Sequence, residues 1–186
     1  MRAPAARLLL VACLLLVTGC SSLSGTGDKG YITGEGVPTE VKAVDRGDPI
    51  ELTGTDLDGK EVDLADLRGK PVVVNVWWSQ CGPCRVEQPD LNEAAAELGD
   101  RASFIGLNIR DSSADAARSY VRGFEVPYPS IYSADGSALL PFSGTLTPRS
   151  IPSTVVLDAE GRIAASVQGR LPTPTTLVDL VEGAGA

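Results

Sequence analysis

Between Pro71 and Trp77 the chain reads PVVVNVW, a β-branched apolar run in which only Asn75 is polar. Continuity of this kind, without the alternation of a half-exposed strand, predicts a strand buried on both faces of a parallel or mixed sheet. Gly82-Pro83 then breaks the pattern, and proline suits the first turn of a helix. From Arg85 to Leu98 the composition favours helix, with Val86, Leu91, Ala94, Ala95 and Leu98 marking an approximate apolar stripe. The alternation continues downstream: Ala102 to Ile109 predicts a strand, Ala114 to Arg122 a helix, and Ser130 to Tyr132 a short strand before a turn at Asp135-Gly136. After a loop rich in Pro, Ser and Gly, apolar segments Thr154 to Leu157 and Arg162 to Val167 flank Asp158-Ala-Glu-Gly161, a hairpin signature with Gly at the left-handed position. Thr173 to Glu182 predicts a closing helix. Upstream, Ile50 to Thr55 and Lys60 to Leu64 predict two strands around an Asp58-Gly59 turn. The sum is an α/β sandwich with a mixed central sheet flanked by helices.

Composition agrees with one globular domain, since 43% of the 186 residues are hydrophobic and 22% charged. The N-terminus departs from the rest. Two arginines precede the ten apolar residues Leu8 to Val17, and Val17-Thr18-Gly19-Cys20 follows. Ten helical residues rise only about 15 Å against a hydrocarbon core of about 30 Å, too little to span it. The segment fits an export signal over residues 1–19, and the boundary at Cys20 resembles the lipobox of bacterial lipoproteins, in which that cysteine is acylated. The expectation is a lipid-anchored protein outside the cytoplasm, with residues 20–47, poor in large apolar side chains, as a flexible tether and residues 48–186 as the folded domain. Without the signal, 14 basic residues face 24 acidic ones, a balance of −10. That charge argues against nucleic acid as a partner.

The cysteines narrow the chemistry. With Cys13 in the signal and Cys20 acylated, only Cys81 and Cys84 remain in the domain, two residues apart in SQCGPCRVEQP. The sequence has no histidine. Structural zinc lacks its four ligands, and covalent haem attachment would need His where Arg85 stands. A Cys–His nucleophile is excluded for the same reason. Linear two-thiolate Cu(I) binding survives as an alternative, as does a structural staple, although closing so short a loop removes little unfolded-state entropy. A redox dithiol is the preferred reading, because the predicted helix places Cys81 at its N-terminal end. There the free N–H groups and the macrodipole stabilise a thiolate. Cys84, one turn further in, is expected to be the more buried of the two. No metal or other cofactor is called for.

Trp77, Cys81-Gly-Pro-Cys84, Pro89, Ile151-Pro152 before a strand and Gly161 in the hairpin together resemble the thioredoxin fold. Cys-Gly-Pro-Cys-Arg-x-Glu-x-Pro, Asn75 and an N-terminal β-hairpin resemble its TlpA/ResA-type branch of membrane-tethered thiol–disulfide oxidoreductases, over about Asp48 to Gly183. The resemblance implies that Cys81 attacks and Cys84 resolves. It implies a cis Ile151-Pro152 bond beside the dithiol, offering backbone groups to an extended substrate. Where cytosolic thioredoxins carry a buried Asp, this chain has Asn75, which cannot take the resolving thiol's proton. Glu87, three residues beyond Cys84 on the same helix face, is the candidate general base. Gly82, Pro83, Ile151, Trp78 and Gln80 are expected at the substrate-facing surface, the last two departing from the family pattern. Trp77 is expected in the core.

Gly82-Pro83 is the dipeptide of reducing thioredoxins. The resemblance thus implies a reductant of exported Cys-containing client proteins, kept reduced by a DsbD/CcdA-type membrane electron donor, with cytochrome c maturation as one use. An exported disulfide-forming oxidase or isomerase is the alternative enzyme, and a lipid-anchored Cu(I)-binding module the alternative outside enzymes.

Overall fold

The computed structural model describes residues 36–185. The expected signal segment and Cys20 lie outside the described residues. Among the described residues eight strands and three α-helices follow one another: β1 (Pro38–Glu40), β2 (Thr53–Thr55), β3 (Glu61–Asp63), β4 (Val72–Trp77), α1 (Gly82–Leu98), β5 (Ser103–Ile109), α2 (Ala114–Gly123), β6 (Ser130–Ser133), β7 (Ser153–Leu157), β8 (Ile163–Gln168) and α3 (Pro174–Ala184). Six strands form one sheet in the order β1-β8-β7-β4-β5-β6, and β2 and β3 pair separately as a hairpin. Strands β4, β5 and β6 run parallel through the α1 and α2 crossovers, whereas β7, β8 and β1 join antiparallel. The mixed sheet expected from the apolar pattern is present.

The period of two in β4 divides the interior. Val72, Val74 and Val76 enter one core with Ile105, Leu107, Ile109, Val155 and Leu157. Val73 enters the other, with Leu91, Ala94 and Leu98 of α1 and Leu177 and Val181 of α3. Asn75 and Trp77 share the side of Val73 and so point toward the helices. On the opposite side, Ile50, Leu52 and Leu64 beside the hairpin, and Leu139 and Phe142 in a 3-10 segment, close the core. That 3-10 segment, Ser137–Phe142, lies where composition predicts only loop. Gly106 in β5 is required by close approach: a Cβ there would collide with Ser130 Oγ and come within 2.6 Å of Trp77 Nε1.

Two expectations need correction. The tether does not extend to residue 47, because Pro38–Glu40 pairs with Ala165, Ser166 and Val167 of β8 and Ala43–Asp45 forms a 3-10 turn. Three mostly exposed residues carry no apolar period, and only the free edge of β8 makes them a strand. The predicted stripe on α1 holds at Leu91, Ala94 and Leu98 but fails at its first position. Val86 is exposed, while its polar neighbours Glu87 and Gln88 are buried. Packing against the sheet, not side-chain type, decides which face turns inward.

Arg46 fastens this N-terminal segment. Its Nη1 donates to Asp158 Oδ2 and to the Ala184 carbonyl, each at 3.1 Å, and its Nε donates to the Val41 carbonyl. Both ion-pair partners are buried, and Asp158 also receives Arg162. Replacing Arg46 by Ala leaves acceptors without their charged donor and is expected to cost about 2 kcal/mol of unfolding free energy, measured by urea titration.

Candidate functional site

Strand β4 ends at Trp77, and the chain turns through Trp78, Ser79 and Gln80 before α1 begins. The Cys81 N–H donates to the Trp78 carbonyl at 3.1 Å, which closes that turn. Cys81 is the N-cap of α1, with Gly82 and Pro83 as its first helical residues. Cys81 and Cys84 are joined by a disulfide, and the Cys84 N–H donates to Cys81 Sγ at 3.1 Å. The sulfur thus takes the place of a capping oxygen, at the positive end of the helix. Both cysteines are buried, at 4% and 2% exposure, so the expected contrast between them is small in the disulfide state.

Around the disulfide lies a third cluster, distinct from the two main cores. It contains Leu57, Trp77, Ala117 and Tyr120, with Trp78, Phe124 and Ile151 packed against it. Tyr120 stacks on Trp77 with ring centroids 4.4 Å apart. Its hydroxyl donates to the Cys84 carbonyl at 3.0 Å and meets Gln88 Oε1 at 3.3 Å, tying α2 to the dithiol turn. Burial pushes the Tyr120 hydroxyl well above the ordinary tyrosine range. Gln88 in turn donates to the Tyr128 hydroxyl and to Asn92.

Beneath α1 sits a polar group in apolar surroundings. Glu87 is fully buried, one turn on from Cys84. Its Oε1 accepts the Leu171 N–H at 2.8 Å, and its Oε2 lies 3.5 Å from Asn75 Nδ2. Asn75 also donates to Thr154 Oγ1 at 3.1 Å, its register partner on β7. Burial raises the Glu87 carboxyl from 4.5 to about 7; the Leu171 N–H, the Asn75 amide and Arg170 oppose that rise, and Asp90 adds to it. Such a group can hold or release a proton near neutrality.

The structure brings together most of the residues singled out from sequence. The Ile151–Pro152 bond is cis. Pro152 is buried, and Ile151 touches both the main core and the dithiol cluster. Gln80, Gly82 and Pro83 are exposed beside Cys81, whereas Trp78 is half-buried against it. A groove of about 420 Å³ runs from Gln80 and Arg85 to Ser119 of α2 and Phe124 at its C-cap, with the Arg85 guanidinium 5.0 Å above the Phe124 ring. Sequence reasoning passed over Tyr120, Gln88 and Asp111. The aromatic spacing of Tyr120 and Phe124 on one helix face was the available signal for the first. Among the described residues no cluster of potential metal ligands occurs, and no helix is long and apolar enough to cross a membrane.

Residues 34–181 match the Redoxin family model. The thiol:disulfide interchange protein DsbE of Pseudomonas aeruginosa is 34% identical over 71% of this chain and 71% of its own length. The thiol-disulfide oxidoreductase ResA of Bacillus thuringiensis is 26% identical over 87% of this chain and 88% of its own. Among solved structures, a DsbF homologue from Corynebacterium diphtheriae superposes with a TM-score of 0.70 at 32% identity, covering 83% of this chain and 94% of that one.

The Glu87 carboxyl sets a pH dependence with a definite sign. Between its ordinary value of 4.5 and about 7 the unfolded chain is ionised while the native carboxyl stays protonated. The stabilisation this gives is complete below pH 4.5 and is lost as pH rises through about 7. Unfolding free energy of the oxidised protein should therefore fall by up to about 3 kcal/mol between pH 4.5 and 8, and Glu87→Gln should flatten the slope. Urea titrations across that range decide the matter; an unchanged slope in the variant would place the titrating group elsewhere.

Proposed function

The chain belongs to the Redoxin family and is a thiol–disulfide oxidoreductase of the ResA/DsbE type, and we propose that it works outside the cytoplasm as a reductant of disulfides in exported proteins. The observation that carries this reading is the Cys81–Cys84 pair at the N-terminus of α1 with the buried Glu87 carboxyl one turn behind it.

In the reduced protein the Cys81 thiolate attacks one sulfur of a client disulfide. The bond between the client sulfurs breaks, the attacked sulfur joins Cys81 in a mixed disulfide, and the other client sulfur leaves as a thiolate. Glu87, with a proton affinity matched to neutral pH, accepts the Cys84 proton as that thiol attacks Cys81 Sγ. The attacked client sulfur then leaves as the second thiolate, the two client thiolates take up protons from Glu87 and from water, and Cys81–Cys84 is left as the disulfide. Ile151 and Pro152 lie against this chemistry and offer backbone to an extended client segment; Gln80, Gly82, Pro83 and Trp78 form the adjoining contact surface. Return to the dithiol needs two electrons from a membrane donor of the DsbD/CcdA type. Acylation at Cys20, behind a signal over residues 1–19, would hold the domain at the membrane, and clients include apocytochrome c before haem attachment.

Gly82-Pro83 between the cysteines supports the reducing direction. Equilibration with glutathione should give a potential below about −180 mV; a value above it fits disulfide formation or isomerisation instead. In membranes, Cys84→Ser should trap exported proteins as mixed disulfides with Cys81, and failure to trap any while small disulfides still react would refute specific clients. Glu87→Gln should slow the resolving step about 100-fold and leave the first attack unchanged, as followed by stopped-flow with a fluorescent disulfide peptide.

A further inference from the structure

Strand β5 ends in a corner that reaches the dithiol from behind. Arg110 has a φ of +70°, a left-handed conformation for a residue with a side chain, and the chain bends there. Its guanidinium donates to the Pro148 carbonyl in the segment leading to Ile151. The next residue, Asp111, is 3% exposed. Its Oδ2 accepts the Ser79 N–H at 2.9 Å and the Asn108 side-chain amide at 2.8 Å, and its Oδ1 accepts the Ser79 hydroxyl at 2.6 Å. The Asp111 carbonyl accepts the Tyr132 hydroxyl at 2.9 Å, fixing the corner to β6. On the other side of Ser79, the Arg85 guanidinium of α1 donates to the Ser79 carbonyl at 3.2 Å.

All three polar groups of Ser79 are therefore taken, two by Asp111 and one by Arg85. Ser79 lies inside the turn that Cys81 closes on Trp78. A carboxylate that is buried must be compensated by hydrogen bonds, and here two of the three side-chain and backbone donors it accepts, the Ser79 N–H and hydroxyl, belong to the dithiol turn itself. The turn cannot shift without uncovering the carboxylate.

We propose that Asp111 is a positioning residue for Cys81: by gripping Ser79 it fixes the turn that presents the Cys81 sulfur at the N-terminus of α1. The inference rests on the reading that Cys81 is the attacking thiol. It concerns placement and not charge, because Asn at this position keeps an oxygen acceptor for the Ser79 N–H and the Asn108 amide, while its own amide can donate to the Ser79 hydroxyl.

The test uses Cys84→Ser protein, in which Cys81 is the only thiol of the pair, and oxidised glutathione as the disulfide. Asp111→Ala should slow mixed-disulfide formation about 30-fold, since small misplacement of a reacting atom is costly. Asp111→Asn should restore the rate to within about threefold of the parent. An Ala variant as fast as the parent overturns the proposal, and so does an Asn variant as slow as Ala, because loss of charge would then be the whole effect. If near-ultraviolet circular dichroism shows that Asp111→Ala does not fold, Ser79→Ala replaces it: loss of the 2.6 Å bond should slow the reaction severalfold, and an unchanged rate overturns the proposal. Should the protein with both cysteines intact reduce no protein disulfide while its Cys84→Ser form still reacts with glutathione, the reductase reading fails and the Asp111 comparison still stands.

Discussion

Strand β4 has neighbours on both edges and apolar packing on both faces, and it leaves no backbone group and almost no side chain to water. Every other feature is arranged around that enclosure. A strand so placed can carry a polar residue only where partners are supplied, and Asn75 finds Thr154 on β7 and Glu87 on α1. The carboxyl is thereby drawn beneath the helix whose first turn holds the disulfide. Enclosure also fixes the direction in which β4 releases the chain, so that the turn at Trp78 to Gln80 and the N-terminus of α1 meet in one place.

The dithiol has its own packing, separate from the two cores that stabilise the sheet. Trp77 belongs to β4 by sequence but to the site by contact, since it stacks on Tyr120, which in turn holds the Cys84 carbonyl. Helix α2 is thus coupled to the redox centre through the Trp77–Tyr120 stack, the Tyr120 hydroxyl and the packing of Ala117. Gly106 is the condition for this arrangement, because any side chain there would displace the Trp77 indole.

Much of this was legible in the sequence where the determinant is local. The β-branched run of β4, Gly82-Pro83 at the start of α1 and the Asp158 to Gly161 turn each carry their conformation in their own residue types. Pro38–Glu40 does not: its strand state comes from β8, well over a hundred residues away. The spacing of Leu91, Ala94 and Leu98 puts position 87 on the inward face of α1, but nothing local says that a carboxyl can be kept there, since its partners are the Leu171 N–H and Asn75. The Asp111 clamp was equally hidden. Its effect depends on a left-handed residue at Arg110 and on a serine 32 positions earlier.

The entry of the chain into the fold has a mechanical meaning. Among the described residues the N-terminal side is held first by the Gly36 N–H on the Arg170 carbonyl and by β1, paired with the edge of the sheet at three positions, and then by Arg46, bound to Asp158 and to the end of α3. Tension applied from that side meets a short strand first and a buried ion pair next, both ahead of β4. The two stand in series between residue 36 and the strand that leads into the dithiol turn, so a pull on the chain at that residue would load the edge of the sheet and the ion pair before it reached the disulfide.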